Sequence, residues 1–257
     1  MGNPDEDLEK IQRMVARVVA THAAGHKLLL IGGFRYRLLD QSARISKDID
    51  YHWEGSLEEK QKELLRLCER VLVPEVRRHL GYEGVAAPLT GPEAESPNAR
   101  FIELRFWKTN FADSQIVVPL EITRIICLDP PTIRTAQGVV YPTASDTDLI
   151  EGKIVAVFNR LFIEHRDFVD IFLYGDRLSA DSPKRLGEKL AILQTNAASL
   201  IRRLNDLRQN VDYHSRAVQA VIDTQLEPVV AAQINSGGGG NAVFARALQL
   251  IQANIKI

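Results

Sequence analysis

The spacing of hydrophobic residues predicts both helices and strands in the first half of the chain. Apolar positions recur at the interval of an α-helix from residue 5 to residue 24 and again from residue 56 to residue 80, where Pro74 predicts a kink or a division. Short apolar or alternating runs predict strands between and after these helices. The predicted strands span residues 27–31, 48–51, 82–87, 100–108 and 115–123.

From residue 146 to the end, the hydrophobic pattern is helical almost without interruption, with several leucine-rich stripes. The segment 129–131, Asp-Pro-Pro, is the predicted boundary, because two prolines disfavour a regular element. The sequence therefore predicts an α+β fold, with a mixed sheet and helices at residues 1–130 followed by a helical bundle at residues 131–257. The glycine run at 236–241 predicts a flexible connection within the bundle.

The composition excludes several classes of protein. The 257 residues include 32 Lys and Arg against 33 Asp and Glu, and a formal charge of −1 does not suit a protein that coats polyanions. With 45% hydrophobic and 25% charged residues, the chain has the balance of a folded globular protein. No secretory leader core and no apolar run of membrane-spanning length stands out in the sequence, so we expect a cytoplasmic protein without a membrane segment.

The strongest chemical signal is a glycine pair followed by two aspartates. Gly32 and Gly33 end a predicted strand, where glycine lets the backbone approach a ligand and the amides of a following helix suit a phosphate. Asp48 and Asp50 are two positions apart on the next predicted strand, so both carboxylates point to one face. Two such carboxylates repel each other unless a cation lies between them, and Mg²⁺ is typically bound by one or two carboxylates together with nucleotide phosphates. The pattern predicts a phosphoryl- or nucleotidyl-transfer site, with a solvated edge strand as the alternative.

A second polar group lies in the predicted helical half. Lys153 stands in an otherwise apolar stretch, and a lysine there needs either a triphosphate or an internal carboxylate as its partner. Asp167 and Asp170 are three positions apart and share one helix face, and Arg166 beside them can neutralise a carboxylate or bind phosphate. Nucleotide binding and an ion pair between two helices are therefore both open interpretations.

These residues resemble the signature of the polymerase-β-like nucleotidyltransferase superfamily. Within that superfamily, the chain is similar to the AbiE-type toxin nucleotidyltransferases of abortive-infection systems. The upstream similarity lies in Gly32-Gly33-x-x-x-Arg37-Leu38 and in Arg44-x-Ser46-x-Asp48-Ile49-Asp50. The downstream similarity lies in Lys153-Ile154-Val155-Ala156 and in Arg166-Asp167-Phe168-Val169-Asp170-Ile171. The matching segments fall within residues 27–175.

The resemblance implies an NTP-dependent nucleotidyltransferase with Mg²⁺ or Mn²⁺ as its cofactor. The implied metal ligands are Asp48, Asp50 and a third acid, and Lys153 and Asp167 would join them in catalysis. The implied nucleotide contacts are Gly32, Gly33, Arg44, Ser46, Lys153, Arg166 and Asp170. For Arg44 the alternative is a position in a solvated basic loop, and for Ser46 it is the cap of a local turn.

The third acid would help to hold the metal and accept the proton of the attacking hydroxyl. It is expected on a strand that pairs beside Asp50. Glu121 on the strand at 115–123 is our prediction, although the family commonly has aspartate at this position. Glu103 on the preceding strand is the rival, and an exposed surface glutamate is the remaining alternative for Glu121.

The resemblance further implies an RNA acceptor, such as the 3′ end of a tRNA. It also implies a toxin of a toxin–antitoxin or phage-defence system, with an antitoxin as partner. Two other functions stay open: a nucleotidyltransferase that modifies a small molecule such as an antibiotic, and a non-catalytic nucleotide-binding module.

Basic residues and a histidine in the helical half carry less information. We interpret the basic residues as ordinary solvated helix faces, with an RNA-binding surface as the alternative. They are Lys184, Arg185, Lys189, Arg202, Arg203, Arg208 and Arg216. His165 has no recognisable metal-ligand spacing around it, so a structural role is predicted.

Overall fold

The computed structural model describes residues 4–90, 96–109 and 111–255. The chain divides into two compact units. The first contains the described parts of residues 1–42, 46–125 and 131–144, and the second contains residues 43–45, 126–130 and the described part of 145–257. None of the described helices combines the length and the apolar character that crossing a membrane requires.

The first unit is built on one sheet. Its strands are β1 (Leu29–Ile31), β2 (Ile49–His52), β3 (Glu83–Pro88), β4 (Ala99–Lys108), β5 (Phe111–Thr123), β6 (Thr132–Ala136) and β7 (Val139–Thr143). Across the described residues, they lie in the order β3-β4-β5-β2-β1-β7-β6. β2 is parallel to β5 and β1 is parallel to β7, whereas the other neighbours are antiparallel. The prediction of a mixed sheet is therefore confirmed.

The helices described in the first unit are α1 (Pro4–Thr21), α2 (Gly32–Leu39), α3 (Leu57–Leu67) and α4 (Val73–Leu80). Ile11 and Val15 of α1 are fully buried, because their spacing places them on one helix face. A π-helical turn at Cys68–Leu72 separates α3 from α4, and Pro74 lies in the first turn of α4. Pro74 thus marks the predicted division of this helical segment.

Along β5, buried apolar residues alternate with residues on the other face, and this alternation shows which face of the sheet is apolar. Val118, Leu120 and Ile122 are fully buried in the hydrophobic core. Glu121 points to the opposite face, because successive side chains in a strand alternate between the two faces. Ile49 belongs to the same core, so its neighbour Asp50 also points away from it. The pattern of the strands thereby places acidic residues on the face opposite the core.

A hairpin of β6 and β7 completes the sheet on the far side of β1. Its strands are joined by Gln137 and Gly138, which have φ angles of 50° and 76°. Two residues of positive φ form the turn that matches the twist of antiparallel strands. The hairpin lies beyond the boundary predicted at residue 130, and β7 pairs with β1 through Leu30 and Thr143. Both strands belong to the first unit and were not predicted.

The second unit is a helical bundle, as predicted. Its described α-helices are α5 (Asp146–Asn159), α6 (His165–Tyr174), α7 (Ser182–Ile192), α8 (Ala197–Gln209), α9 (Val211–Gln225), α10 (Pro228–Ser236) and α11 (Gly239–Asn254). Phe168, Val218 and Phe244 are fully buried in it. Residues 43–45 join this unit because they pair with the chain after α9, where Arg44 forms a β-bridge with Leu226.

The glycine run between α10 and α11 is a tight turn, so the expected flexible connection is wrong. α10 ends at Ser236 and α11 begins at Gly239, with Gly238 at a φ of 107°. A Cβ atom on Gly240 would lie 2.3 Å from the backbone oxygen of Ser215 in α9. The absence of a side chain at this position is what lets α11 pack directly against α9.

Two of the basic residues interpreted as solvated are held in ion pairs, Lys189 in a buried position and Arg185 with 17% of its side chain exposed. Lys189 is 1% exposed, and its Nζ lies 2.7 Å from Oδ1 of Asp148 and 2.9 Å from Oε2 of Glu151. Arg185 contacts the same two carboxylates, at 2.8 Å and 2.9 Å. For Lys189 and Arg185 the interpretation as a solvated face is therefore wrong, because two buried carboxylates on α5 require cations.

Candidate active site

A glycine at the end of β1 brings the backbone against an acidic side chain. Gly32 has a φ of +72°, a left-handed conformation that side chains disfavour. A Cβ atom there would lie 1.7 Å from Oδ2 of Asp50, so glycine is required. α2 begins at this residue, its N-cap residue Ile31 supplies no side-chain cap, and the buried Gly33 follows in the first turn. Amides without a capping side chain at a helix start are suited to an anion.

The strand register places Glu121 beside Asp50. The two residues are partners in the parallel pair β2–β5, and Asp50 is also the partner of Ile31 in β1. Neighbouring strands lie about 4.8 Å apart, and partner residues point to the same face. Glu103 is instead opposite Pro119 and accepts a hydrogen bond from Nε of Arg105. The register therefore brings Glu121, and not Glu103, to the side of Asp50.

Asp48 lies immediately before β2 and is oriented by Ser46. The Oγ of Ser46 donates a hydrogen bond to Oδ1 of Asp48 at 2.7 Å. The backbone oxygen of Ser46 accepts a hydrogen bond from Nε2 of Gln12 in α1 at 2.9 Å. Ser46 is buried, so this segment is fixed against α1 and presents the Asp48 carboxylate in one orientation.

The donor atoms of this site suit a hard divalent cation. Carboxylate oxygens are the ligands that Mg²⁺ and Mn²⁺ prefer. Among the described residues, no group of three or more His, Cys, Asp or Glu side chains is arranged to hold a metal ion. The site does fit the mode in which one or two carboxylates bind Mg²⁺ and substrate phosphates complete its coordination. Asp48 and Asp50 are the residues that would supply those carboxylates.

In the second unit, Lys153 lies at the centre of an ion cluster, formed by Arg44, Lys153, Arg160, Asp167 and Asp170. The Nζ of Lys153 lies 3.0 Å from Oδ1 of Asp167 and 3.0 Å from Oδ2 of Asp170. The Nε of Arg44 lies 2.5 Å from Oδ1 of Asp170, and Nη1 of Arg160 lies 2.6 Å from Oδ2 of Asp167. The aspartates are buried, whereas the side chain of Lys153 keeps 14% of its surface exposed.

The neighbouring charges favour the ionised forms of Asp170 and Lys153. Burial by itself raises the pKa of Asp170, but Lys153 and Arg44 outweigh burial, so the pKa is lowered. Burial lowers the pKa of Lys153, but Asp167 and Asp170 outweigh it, so that pKa is raised. Three cations and two anions leave the cluster with an excess of one positive charge.

The other predicted residues of this group differ in their exposure and in their ion-pair partners. The ion pair between α5 and α6, one of the two interpretations of Lys153, is present. Arg44 is 3% exposed, so a solvated basic loop is wrong for it. The Nε of Arg166 lies 3.7 Å from Oε2 of Glu164, and its side chain is 35% exposed. Arg160 was not predicted, because it lies just beyond α5 outside any motif and only the fold brings it to Asp167.

A histidine pair lies near the start of α6. The Nε2 of His165 is 3.0 Å from Nδ1 of His214 in α9, and the His214 ring stacks on Phe244 with centroids 5.3 Å apart. Burial lowers the pKa of both histidines. The His214 ring lowers the pKa of His165 further and Glu164 partly offsets this, while Asp206 partly offsets the effect of burial on His214. Neutral rings let one imidazole donate to the other. His165 thus has the structural contacts that were predicted.

Two solved structures share this architecture over nearly the whole chain. JHP933 from Helicobacter pylori is 15% identical, with a TM-score of 0.53, and the match covers 98% of this chain and 92% of that one. MenT4, a nucleotidyltransferase toxin from Mycobacterium tuberculosis, is 13% identical, with a TM-score of 0.57 and coverage of 97% and 84%. Among curated protein sequences, none matches the chain. At these identities the structural likeness concerns the fold alone.

The family follows from the sequence itself. The model of the family described as nucleotidyl transferase AbiEii toxin, type IV TA system, matches residues 13–232. The chain belongs to this family of toxin nucleotidyltransferases. The match extends on both sides of residues 27–175, where the motifs lie, and it includes most of the helical bundle.

Proposed function

We propose that this nucleotidyltransferase moves a nucleoside monophosphate from an NTP, in a reaction that depends on Mg²⁺, onto a hydroxyl of an RNA such as the 3′ end of a tRNA. It would act as the cytoplasmic toxin of a pair whose antitoxin restrains it. The observation that carries the proposal is the register of β2 and β5, which sets Glu121 beside Asp50. Asp50 in turn lies against the turn at Gly32. The family supports the reaction class and the antitoxin.

In the proposed reaction, the acceptor oxygen forms a bond to the α-phosphorus of the NTP. The bond from that phosphorus to the β-phosphate oxygen breaks, and pyrophosphate leaves with the electron pair. Glu121 takes the proton of the acceptor hydroxyl. When bound, Mg²⁺ would supply positive charge to the phosphates and lower the pKa of the hydroxyl. Asp48 and Asp50 are proposed as its ligands, and Ser46 holds Asp48 in position.

The glycine turn and the ion cluster have proposed tasks of their own. The uncapped amides at Gly32 and Gly33 would donate to triphosphate oxygens. Lys153, which belongs to an ion cluster with one excess positive charge and has a partly exposed side chain, would neutralise phosphate charge together with Arg166. Asp167 and Asp170 are proposed as positioning residues, since both are ion-paired with Lys153.

The test is a label-transfer assay with the purified protein and total tRNA. Each of the four NTPs is supplied with label at the α-phosphate or at the γ-phosphate, with Mg²⁺ or with EDTA. We expect α-label on the RNA, γ-label in pyrophosphate, and no transfer in EDTA. Asp50→Asn should reduce the rate at least ~100-fold, because a metal ligand contributes several kcal/mol and ~1.4 kcal/mol corresponds to a factor of ten.

The matched control is Glu103→Gln, which removes a carboxylate of the neighbouring strand pair that is bonded to Arg105. Its rate should stay within about twofold of wild type. The absence of transfer from all four NTPs, or full activity in Asp50→Asn, would contradict the proposal. Transfer to a small hydroxylated molecule but not to RNA would retain the chemistry and overturn the acceptor.

A further inference from the structure

The loop between α5 and α6 exposes two adjacent apolar side chains. Leu161 is 82% exposed and Phe162 is 76% exposed, the highest values among the large hydrophobic residues of the described chain. Single apolar residues on a surface are ordinary, but a neighbouring pair gives up the stabilisation that burial of Leu and Phe supplies. A partner that covers them in the working protein would account for this exposure.

The loop is fixed to the bundle. The Nη2 of Arg203 in α8 donates hydrogen bonds to the backbone oxygens of Arg160 at 2.7 Å and of Leu161 at 3.4 Å. Arg160 also donates to Asp167 of the ion cluster at 2.6 Å. Arg203 thus holds the backbone at the start of the loop, and Asp167 holds the side chain of Arg160. Phe162 therefore extends from a fixed segment.

The charged groups around the loop favour an anionic partner. The side chains of Arg160 and Arg166 are 42% and 35% exposed. Arg203 adds a third guanidinium, and Glu164, at 48% exposure, adds one opposing carboxylate. A loop that carries an exposed aromatic ring and several guanidinium groups suits unpaired nucleotides, because bases stack on the ring while phosphates bind arginine.

A protein partner needs a larger surface than this loop supplies. A stable protein interface buries about 800 Å² on each partner, and a large apolar side chain contributes roughly 150–250 Å² at most. Unpaired nucleotides need one ring and a few cations, which the loop has.

We propose that the loop 160–164 binds the unpaired 3′ end of the RNA acceptor, with Phe162 stacked on a base and arginines of the loop region on the phosphates. This inference rests on the proposed function, because it assigns the acceptor of that reaction a binding surface. The hydrogen bond from Arg160 to Asp167 connects that surface to the ion cluster of Lys153.

The test measures RNA binding without catalysis. The affinity of a fluorescent RNA duplex with a four-nucleotide 3′ overhang is measured by anisotropy, in EDTA and without NTP. For Phe162→Ala we expect the Kd to rise about 5- to 150-fold, the range that ~1–3 kcal/mol per stacked base gives at ~1.4 kcal/mol per factor of ten. Phe162→Trp should bind as tightly as wild type or more tightly. Val229→Ala, which removes an apolar side chain of 71% exposure from α10, is the control and should leave Kd unchanged.

The label-transfer assay then separates the two proposals. If wild type labels RNA and Phe162→Ala binds and labels it equally well, the loop proposal fails and the proposed function stands. If no NTP supports transfer, the proposed function fails, whatever the anisotropy gives. A Phe162→Ala variant that binds RNA normally but no longer co-purifies with the co-expressed antitoxin would overturn the loop proposal and assign the surface to the antitoxin.

Discussion

Replacing Asp170 by asparagine tests whether the ion cluster is a required part of the second unit. Asp170 is fully buried and contacts Lys153 at 3.0 Å and Arg44 at 2.5 Å. Asparagine keeps the size of the side chain but removes its charge, and its amide donors would face two cations. Arg44, which is 3% exposed, would then be a buried guanidinium without its carboxylate.

The size of the effect follows from this geometry. Unit charges 3.0 Å apart attract each other by about 5 kcal/mol at an effective dielectric constant of ~20. The desolvation of the buried carboxylate offsets part of this attraction, and removing one partner of a buried ion pair typically costs about 3–5 kcal/mol. We therefore expect Asp170→Asn to lower the free energy of unfolding at pH 7 by about 3–5 kcal/mol.

Urea unfolding followed by two probes measures the loss. Tryptophan fluorescence reports on the first unit, because Trp53 and Trp107 both lie there, while circular dichroism also reports on the helical bundle. The exposed Asp223→Asn on α9 is the control and should change stability by less than about 0.5 kcal/mol. Because the fold lowers the pKa of Asp170, its contribution is complete above about pH 4 and is lost as the pH falls through the lowered value. The difference in the free energy of unfolding between wild type and Asp170→Asn should therefore become smaller at acidic pH.

A loss below about 1 kcal/mol at pH 7 would refute this reasoning, since a neutral amide would then serve Arg44 and Lys153 as well as a carboxylate does. A double-mutant cycle with Lys153→Met adds a second check. The double variant should be more stable than the sum of the two single changes implies, by about 0.5–3 kcal/mol, because the two residues are in contact.

Two further predictions concern the glycine turn and the histidine pair. Gly32→Ala should lower the stability and abolish transfer, since its Cβ would meet Asp50. Gly81→Ala is the control, because Gly81 has the same φ of +72° but lies in open space, and it should cost only about 1 kcal/mol. Equal losses in Tm for the two variants would contradict the clash at Gly32. Because burial lowers the pKa of His165 and His214, the unfolded chain binds more protons just below about pH 6.5, so Tm should fall from pH 7 to pH 5. His214→Phe should flatten this dependence in a calorimetric pH series, and an unchanged slope would exclude the pair as its source.

Much of the fold and the core of the site were predictable because their signals are local. Helical periodicity predicted α1 and the bundle, and strand patterns predicted β1 to β5, since each element must place its own apolar residues on one face. The glycine pair directly follows β1, whereas Asp48 lies just before β2 and Asp50 within it. The two-residue spacing of the aspartates in the sequence therefore already predicts that they share a face. The hairpin of β6 and β7 was missed because its strands are short and half-exposed, although the turn at Gln137 and Gly138 is a usable signal.

The sequence alone therefore determined the order of helices and strands except for the hairpin of β6 and β7, together with the family resemblance and the acidic pair at Asp48 and Asp50. The tertiary structure decided which of these side chains contact one another. Glu121 rather than Glu103 lies beside Asp50 because the register of two strands far apart in the sequence sets it. Arg44 meets Asp170 across 126 positions, and Lys189 is enclosed by two carboxylates of another helix. Charge type and spacing are properties of a segment, but burial and pairing depend on which distant segments pack together, and a periodic pattern does not contain that information.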